Sequence, residues 1–151
     1  MHDIEVNDLQ SHLRGMKRKI ADCLRAVLRH ETVDRYRVSV ALVDDARIRD
    51  LNRRFLGRDE PTDVLSFPLS EPGDDHLAGE IVVSAERAVD VARHRGADPA
   101  GELLLYAVHG CLHLLDYDDR TPAGARRMHD REDEHLAAMG YPGVAARADD
   151  H

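Results

Sequence analysis

His109 and His113 stand four residues apart in the stretch HGCLHLLDYDD, and three carboxylates, Asp116, Asp118 and Asp119, follow them. Positions i and i+4 share one face of a helix, about 6 Å apart, so the two imidazoles can be aimed at one point. A divalent cation bound there needs a third ligand from beyond the helix end. Asp119, ten residues after His109, supplies it if the chain turns near Asp116 and Tyr117. Two imidazoles and one carboxylate make an open zinc site with a coordination position left for water. Asp118 is the alternative third ligand if the turn runs differently. Cys111 lies roughly 200° around the helix from each histidine and faces away from such a site.

The competing reading is a pair of surface or hydrogen-bonded histidines in a chain that has 10 of them. The apolar surroundings weigh against it, because two inward imidazoles on this helix would otherwise need buried partners. Zinc in an open site implies hydrolysis. The protease motif HExxH carries a glutamate beside its first histidine as general base, whereas Gly110 stands there in this chain. Peptide hydrolysis loses its usual proton acceptor, and RNA cleavage depends on that glutamate less.

The elements that must position these groups follow from periodicity and punctuation. At 151 residues the chain fits one domain, 1–151. A short strand is expected near Ile4 to Val6, then an amphipathic helix over 9–30 with Leu13, Ile20, Leu24, Val27 and Leu28 at helical spacing. RVSVALVDD alternates and is β-branched, hence a strand, and a short helix from Ala46 to Arg54 follows it. Pro61, Thr62 and Asp63 make a turn before a strand from Val64 to Phe67, where Pro68 marks an edge or an end. The polar run Glu71 to Ala78 is expected to be a mobile loop, and GEIVVS a fourth strand. Ser84 caps a helix over Ala85 to Arg95 that Gly96 stops. Asp98 and Pro99 open the histidine helix, which runs to about Leu115, and Thr121 and Pro122 open the last one, ended by Gly140 and Pro142. Strands and helices mix without strict alternation, so the fold class is α+β: a small mixed sheet of about four strands packed with about five helices. Glu102 is expected to be a cap or surface charge, Tyr106 a core residue, and His129 and His135 solvent-facing.

The net charge of −8 argues against indiscriminate nucleic-acid binding, but the charge is divided. Arg14, Lys17, Arg18, Lys19, Arg25 and Arg29 face only Asp22 between residues 11 and 30, and Arg47, Arg49, Arg53, Arg54 and Arg58 face only Asp50 between 47 and 58. Both segments are candidates for holding phosphates; the alternative is solvated helix faces. No run of eighteen apolar residues occurs and the charged start lacks the apolar core of a signal peptide, so no membrane association and a cytoplasmic location are expected. Cys23 and Cys111 form no paired motif and are taken as small apolar residues.

Beyond the histidine stretch, Asn52, the block PTDVLSFP at Pro61 to Pro68, GEIVVS from Gly79, and Met128 with Glu132 stand in order and spacing. Together with HGCLHLLDYDD, these blocks resemble the YbeY family of bacterial endoribonucleases, whose signature is similar to HGxLHLxGYDH. The resemblance extends from about Val40 to Tyr141 and implies a zincin-like α+β domain with zinc at the histidine motif. It also implies single-strand-specific endoribonuclease activity in maturation of ribosomal RNA, chiefly at the small-subunit 3′ end, and partnership with the ribosomal small subunit. On it, His109, His113 and Asp119 are the metal ligands and act in catalysis through the metal, one Zn2+ per chain, while Thr62, Asp63 and Ser66 border the cleft that takes substrate. Three residues depart from the pattern: Asp119 stands where the family has its third histidine, Asp116 where it has a glycine, and Leu56 where it has an arginine that faces RNA. Arg58 or Arg54 is expected to substitute in part for that arginine. A carboxylate ligand makes the cation a weaker Lewis acid, which predicts activity shifted to alkaline conditions or toward a harder ion such as Mn2+. The other functions compatible with the sequence are a non-catalytic ribosome-assembly factor with a structural metal and a zincin-like metallopeptidase.

Overall fold

The computed structural model describes residues 1–145; the last six residues of the expected 1–151 domain lie outside the described residues. Nine elements follow one another: β1 (His2–Asp8), α1 (Lys17–His30), β2 (Tyr36–Val43), α2 (Asp45–Leu56), β3 (Val64–Pro68), β4 (Leu77–Ser84), α3 (Ala85–Arg95), α4 (Pro99–Leu114) and α5 (Pro122–Ala138). The sheet order is β1-β2-β4-β3, with β1, β2 and β4 parallel and β3 antiparallel to β4 along the edge. The α+β class, with a mixed four-stranded sheet and five helices among the described residues, is therefore observed. Pro68 ends the edge strand, where its missing N–H is needed least.

Alternation along the strands sends two sets of side chains to opposite faces. Val38, Val40, Leu42, Ile81 and Val83 join α1 and α4 in the main core. Val43, Leu65 and Val82 turn to the other face and pack with Ile48 of α2. α4 touches β3, β4, α1, α3 and α5, so its near-continuous burial from Ala100 to Val108 is that of a central helix. Tyr106 and both cysteines lie in that core, as expected.

Two expectations about elements need correction. α1 begins at Lys17, eight residues later than the hydrophobic spacing suggests. Gln10 folds the preceding segment into a turn, its Oε1 accepting from the backbone N–H of His12 and Leu13 at 2.7 and 2.9 Å, and Gly15 sits at φ +76°, outside the helical region. β4 begins at Leu77, inside the segment taken for a loop, because Leu77 and Ala78 pair with Tyr36 and Arg37. Elsewhere the punctuation holds: Ser84, Asp98 and Thr121 accept from the backbone N–H groups of Arg87, Ala100 and Gly124 as N-caps.

Candidate metal centre

α4 carries His109 and His113 at its C-terminal end, and their Nε2 atoms face each other at 3.1 Å. The helix stops at Leu114; Asp116 takes a left-handed φ of +69° that reverses the chain. The turn brings the Asp119 Oδ2 to 3.7 Å from His109 Nε2 and 3.9 Å from His113 Nε2. A tetrahedral cation with bonds of about 2.0–2.1 Å spaces its donors about 3.3 Å apart. The three side chains therefore fit a cation, with a small inward movement of the half-exposed Asp119 closing the longer two distances.

The other ring nitrogens explain why these faces converge. His113 Nδ1 lies 3.1 Å from the Tyr117 carbonyl oxygen, which only accepts, so the proton sits on Nδ1 and the Nε2 lone pair faces the site. His109 Nδ1 lies 2.8 Å from Glu132 Oε2, and a carboxylate fixes the same tautomer. Two Nε2 atoms at 3.1 Å need a positive charge between them, either a proton shared as a hydrogen bond or a bound cation. The protonation preferences of the two rings diverge accordingly. Burial works to lower His109, but the hydrogen bond and charge of Glu132, with Asp119 and Asp63, carry it above the ordinary histidine value. Burial and then the neighbouring His109 hold His113 below it.

Asp119, not Asp118, completes the group: Asp118 turns away to bind Arg120, at 2.8 Å from its Nη2. A second set of carboxylates, Asp45, Glu86 and Asp90, also has oxygens within 4.8 Å of one another, but Asp45 accepts from Ser84 Oγ and Glu86 from the Asp45 N–H. Glu86 thus holds the first N–H of α2 and Asp45 holds Ser84, the N-cap of α3, and the nearby imidazole of His12 lies 3.6 Å from Glu86 as an ion-pair partner.

The remaining candidates distribute unevenly. Asp63 is close enough for its charge to raise His109, and Thr62 donates to its Oδ1 at 3.2 Å. Ser66 faces α4 and donates to the Gly110 carbonyl at 2.9 Å, so its hydroxyl joins strand to helix. Arg54 and Arg58 belong to α2 and the loop after it, on the other sheet face. Arg54 pairs with Asp50 at 3.5 Å, and Arg58 makes no ion pair among the described residues. Gly110 points at the sheet: a Cβ there would stand 2.7 Å from Ile81 Cγ2 and 2.9 Å from Val64 Cγ2. The position occupied by glutamate in HExxH is therefore directed away from the histidines.

Three polar residues lie elsewhere than expected. Glu102 is 1% exposed, covered where α4 meets α3, with Arg95 at 3.9 Å; burial and then the nearby Glu102 charge raise the Tyr106 hydroxyl, and Glu102 is neither a cap nor a surface charge. His135 is 5% exposed and bonds to Glu31 Oε2 at 2.9 Å, and His129 is half-buried beside Asp133. Their place on the last helix, outside the histidine motif, predicts both as solvent-facing. Glu132, part of the Met128 block, stands four residues after the buried Met128, a spacing that marks it as inward.

The family model described as endoribonuclease YbeY matches residues 3–140. The chain belongs to the YbeY family. The endoribonuclease YbeY of an Anaeromyxobacter strain is 44% identical over 139 residues, covering 91% of this chain and 70% of the relative. That of Moorella thermoacetica is 49% identical over 113 residues, covering 68% of this chain and 72% of the relative. The solution structure of a Thermotoga maritima protein superposes with a TM-score of 0.66 at 29% identity, over 97% of this chain and 93% of that one. YbeY membership thus agrees with the α+β architecture built above.

Proposed function

We propose that this protein is a zinc-dependent, single-strand-specific endoribonuclease that matures ribosomal RNA at the small-subunit 3′ end in the cytoplasm. Family membership supports the nuclease activity, and the single observation that supports the metal is the pair of Nε2 atoms 3.1 Å apart with the Asp119 carboxylate beside them. His109, His113 and Asp119 would hold the ion. Once bound, it supplies Lewis acidity and an ionised water for phosphodiester hydrolysis. Glu132 and the Tyr117 carbonyl keep the two imidazole protons on the far side of the rings. Asp63 and Thr62, which precede β3, border the substrate on the strand side, and the exposed Arg58 and Arg54 hold flanking phosphates, contacts that position RNA without reading sequence. No helix among the described residues is long and apolar enough to cross a membrane.

Gly110 speaks against the peptidase reading, since a glutamate side chain there would enter the β3–β4 surface. The test is cleavage of single-stranded RNA and of casein by the purified protein, each with and without chelator. RNA cleavage that chelator and His113→Ala both abolish is the expected result. Intact RNA in every condition, with zinc still bound, would select the non-catalytic assembly factor.

A further inference from the structure

Tyr117 is the middle residue of the turn that separates the two histidines from Asp119, and it is held at both ends. Its carbonyl accepts from His113 Nδ1, and its N–H donates to the Leu112 carbonyl at 3.0 Å. Its hydroxyl donates to Glu31 Oε1 at 2.7 Å and accepts from Arg131 Nε at 3.1 Å, while the Arg127 guanidinium lies over its ring. Glu31, the C-cap residue of α1, is 86 residues away in sequence. Its side chain is 8% exposed, and its other oxygen is held by Arg131 Nη2 at 2.6 Å and His135 Nε2 at 2.9 Å.

A carboxylate so covered is costly unless donors surround it, and here the donors come from α5 and from the metal-site turn. The start of the turn is also held by the backbone N–H groups of Asp116 and Tyr117 and by the packing of Leu115 and Tyr117 on the core, but its far side, which carries Asp119, is more open. Asp116 is in a left-handed conformation, and Asp118 and Asp119 are nearly half exposed. We infer that Glu31 is a positioning residue of the metal centre: through the Tyr117 hydroxyl it holds the turn so that the Tyr117 carbonyl orients His113 and Asp119 reaches the ion. The inference rests on the metal reading above. Groups one shell removed from a metal commonly change its affinity by about 10- to 100-fold when removed.

Zinc affinity, measured by competition with a chromophoric chelator, and the visible absorption of the cobalt-substituted protein test it. Glu31→Ala and Tyr117→Phe leave the Tyr117 carbonyl in place and act one link further out, so each is expected to weaken zinc binding severalfold, toward the lower end of the roughly 10- to 100-fold range for groups that touch a ligand, and to alter the cobalt spectrum. The double variant should be no weaker than the worse single one, because both cut the same link. Glu31→Gln keeps an acceptor for the Tyr117 hydroxyl and is expected to restore most of the affinity. Tyr117→Phe loses only a hydroxyl, which guards against a Glu31→Ala protein that does not fold. Zinc binding that depends on His113 but is unchanged in folded Tyr117→Phe and Glu31→Ala overturns the positioning role alone. A wild-type protein without zinc affinity, or one whose affinity survives His113→Ala, overturns the metal reading and the positioning role with it.

Discussion

At the scale of single residues, the candidate ligand that departs from the family pattern, Asp119, is the one with the most room to move. His109 and His113 are fixed by the helix and by their Nδ1 partners, whereas Asp119 stands 3.7 and 3.9 Å from them with a side chain 44% exposed. A carboxylate in that place adds negative charge and favours harder ions, and an imidazole favours zinc. Asp119→His should therefore raise the preference for Zn2+ over Mn2+, measured as the ratio of their affinities in the same competition assay. An unchanged ratio would show that Asp119 is not in the coordination sphere. The cysteines sit at the opposite extreme. Burial pushes the thiols of Cys23 and Cys111 up to about 12, so neither supplies a thiolate ligand near neutral pH.

At the scale of elements, the site depends on how closely α4 lies on the edge of the sheet, and Gly110 measures that approach. A methyl group there would stand 2.7 Å from Ile81 Cγ2, 2.9 Å from Val64 Cγ2 and 3.0 Å from Ser66 Oγ. Overpacking a core costs about 1–3 kcal/mol, against about 1 kcal/mol gained when alanine replaces glycine in a helix. Gly110→Ala is thus expected to lower stability in urea unfolding, and a stabilised variant would mean that α4 does not seat on β3 and β4 as described. The same element shows what the sequence could and could not convey. Asp98 and Pro99 opening α4, the His109–His113 spacing and the reversal at Asp116 are local signals, and all were legible. Hydrophobic spacing sets the start of α1 too early, because Leu13 keeps helical spacing while Gln10 and Gly15 break the backbone around it. The burial of Glu102 and His135 was illegible for a different reason: each is polar on a helix, and only its partner on another element makes it an inward residue.

At the scale of the whole molecule, one carboxylate joins three parts of the chain and gives stability a predictable pH dependence. Glu31 of α1 faces Tyr117 from the metal-site turn and Arg131 and His135 from α5, with His30 stacked at an angle 6.0 Å from the His135 ring. Burial works to raise the Glu31 carboxyl, but the hydrogen bonds from Tyr117 and His135 and the Arg131 charge outweigh it, leaving the carboxyl below its ordinary 4.5. A group depressed on folding contributes stability that is fully present above its unfolded value and disappears as pH falls through the folded one. The Glu31 contribution is therefore intact at neutral pH and fades below 4.5. Glu31→Gln cannot titrate, so the stability gap between it and the wild type, measured by urea unfolding across a pH series, should be widest near neutrality. Below 4.5 that gap should close, because protonation makes the wild-type side chain as neutral as the amide. A gap that stays constant to pH values well under the ordinary carboxylate range would mean that Glu31 holds α1, α5 and the turn together by shape and hydrogen bonding alone, without its charge.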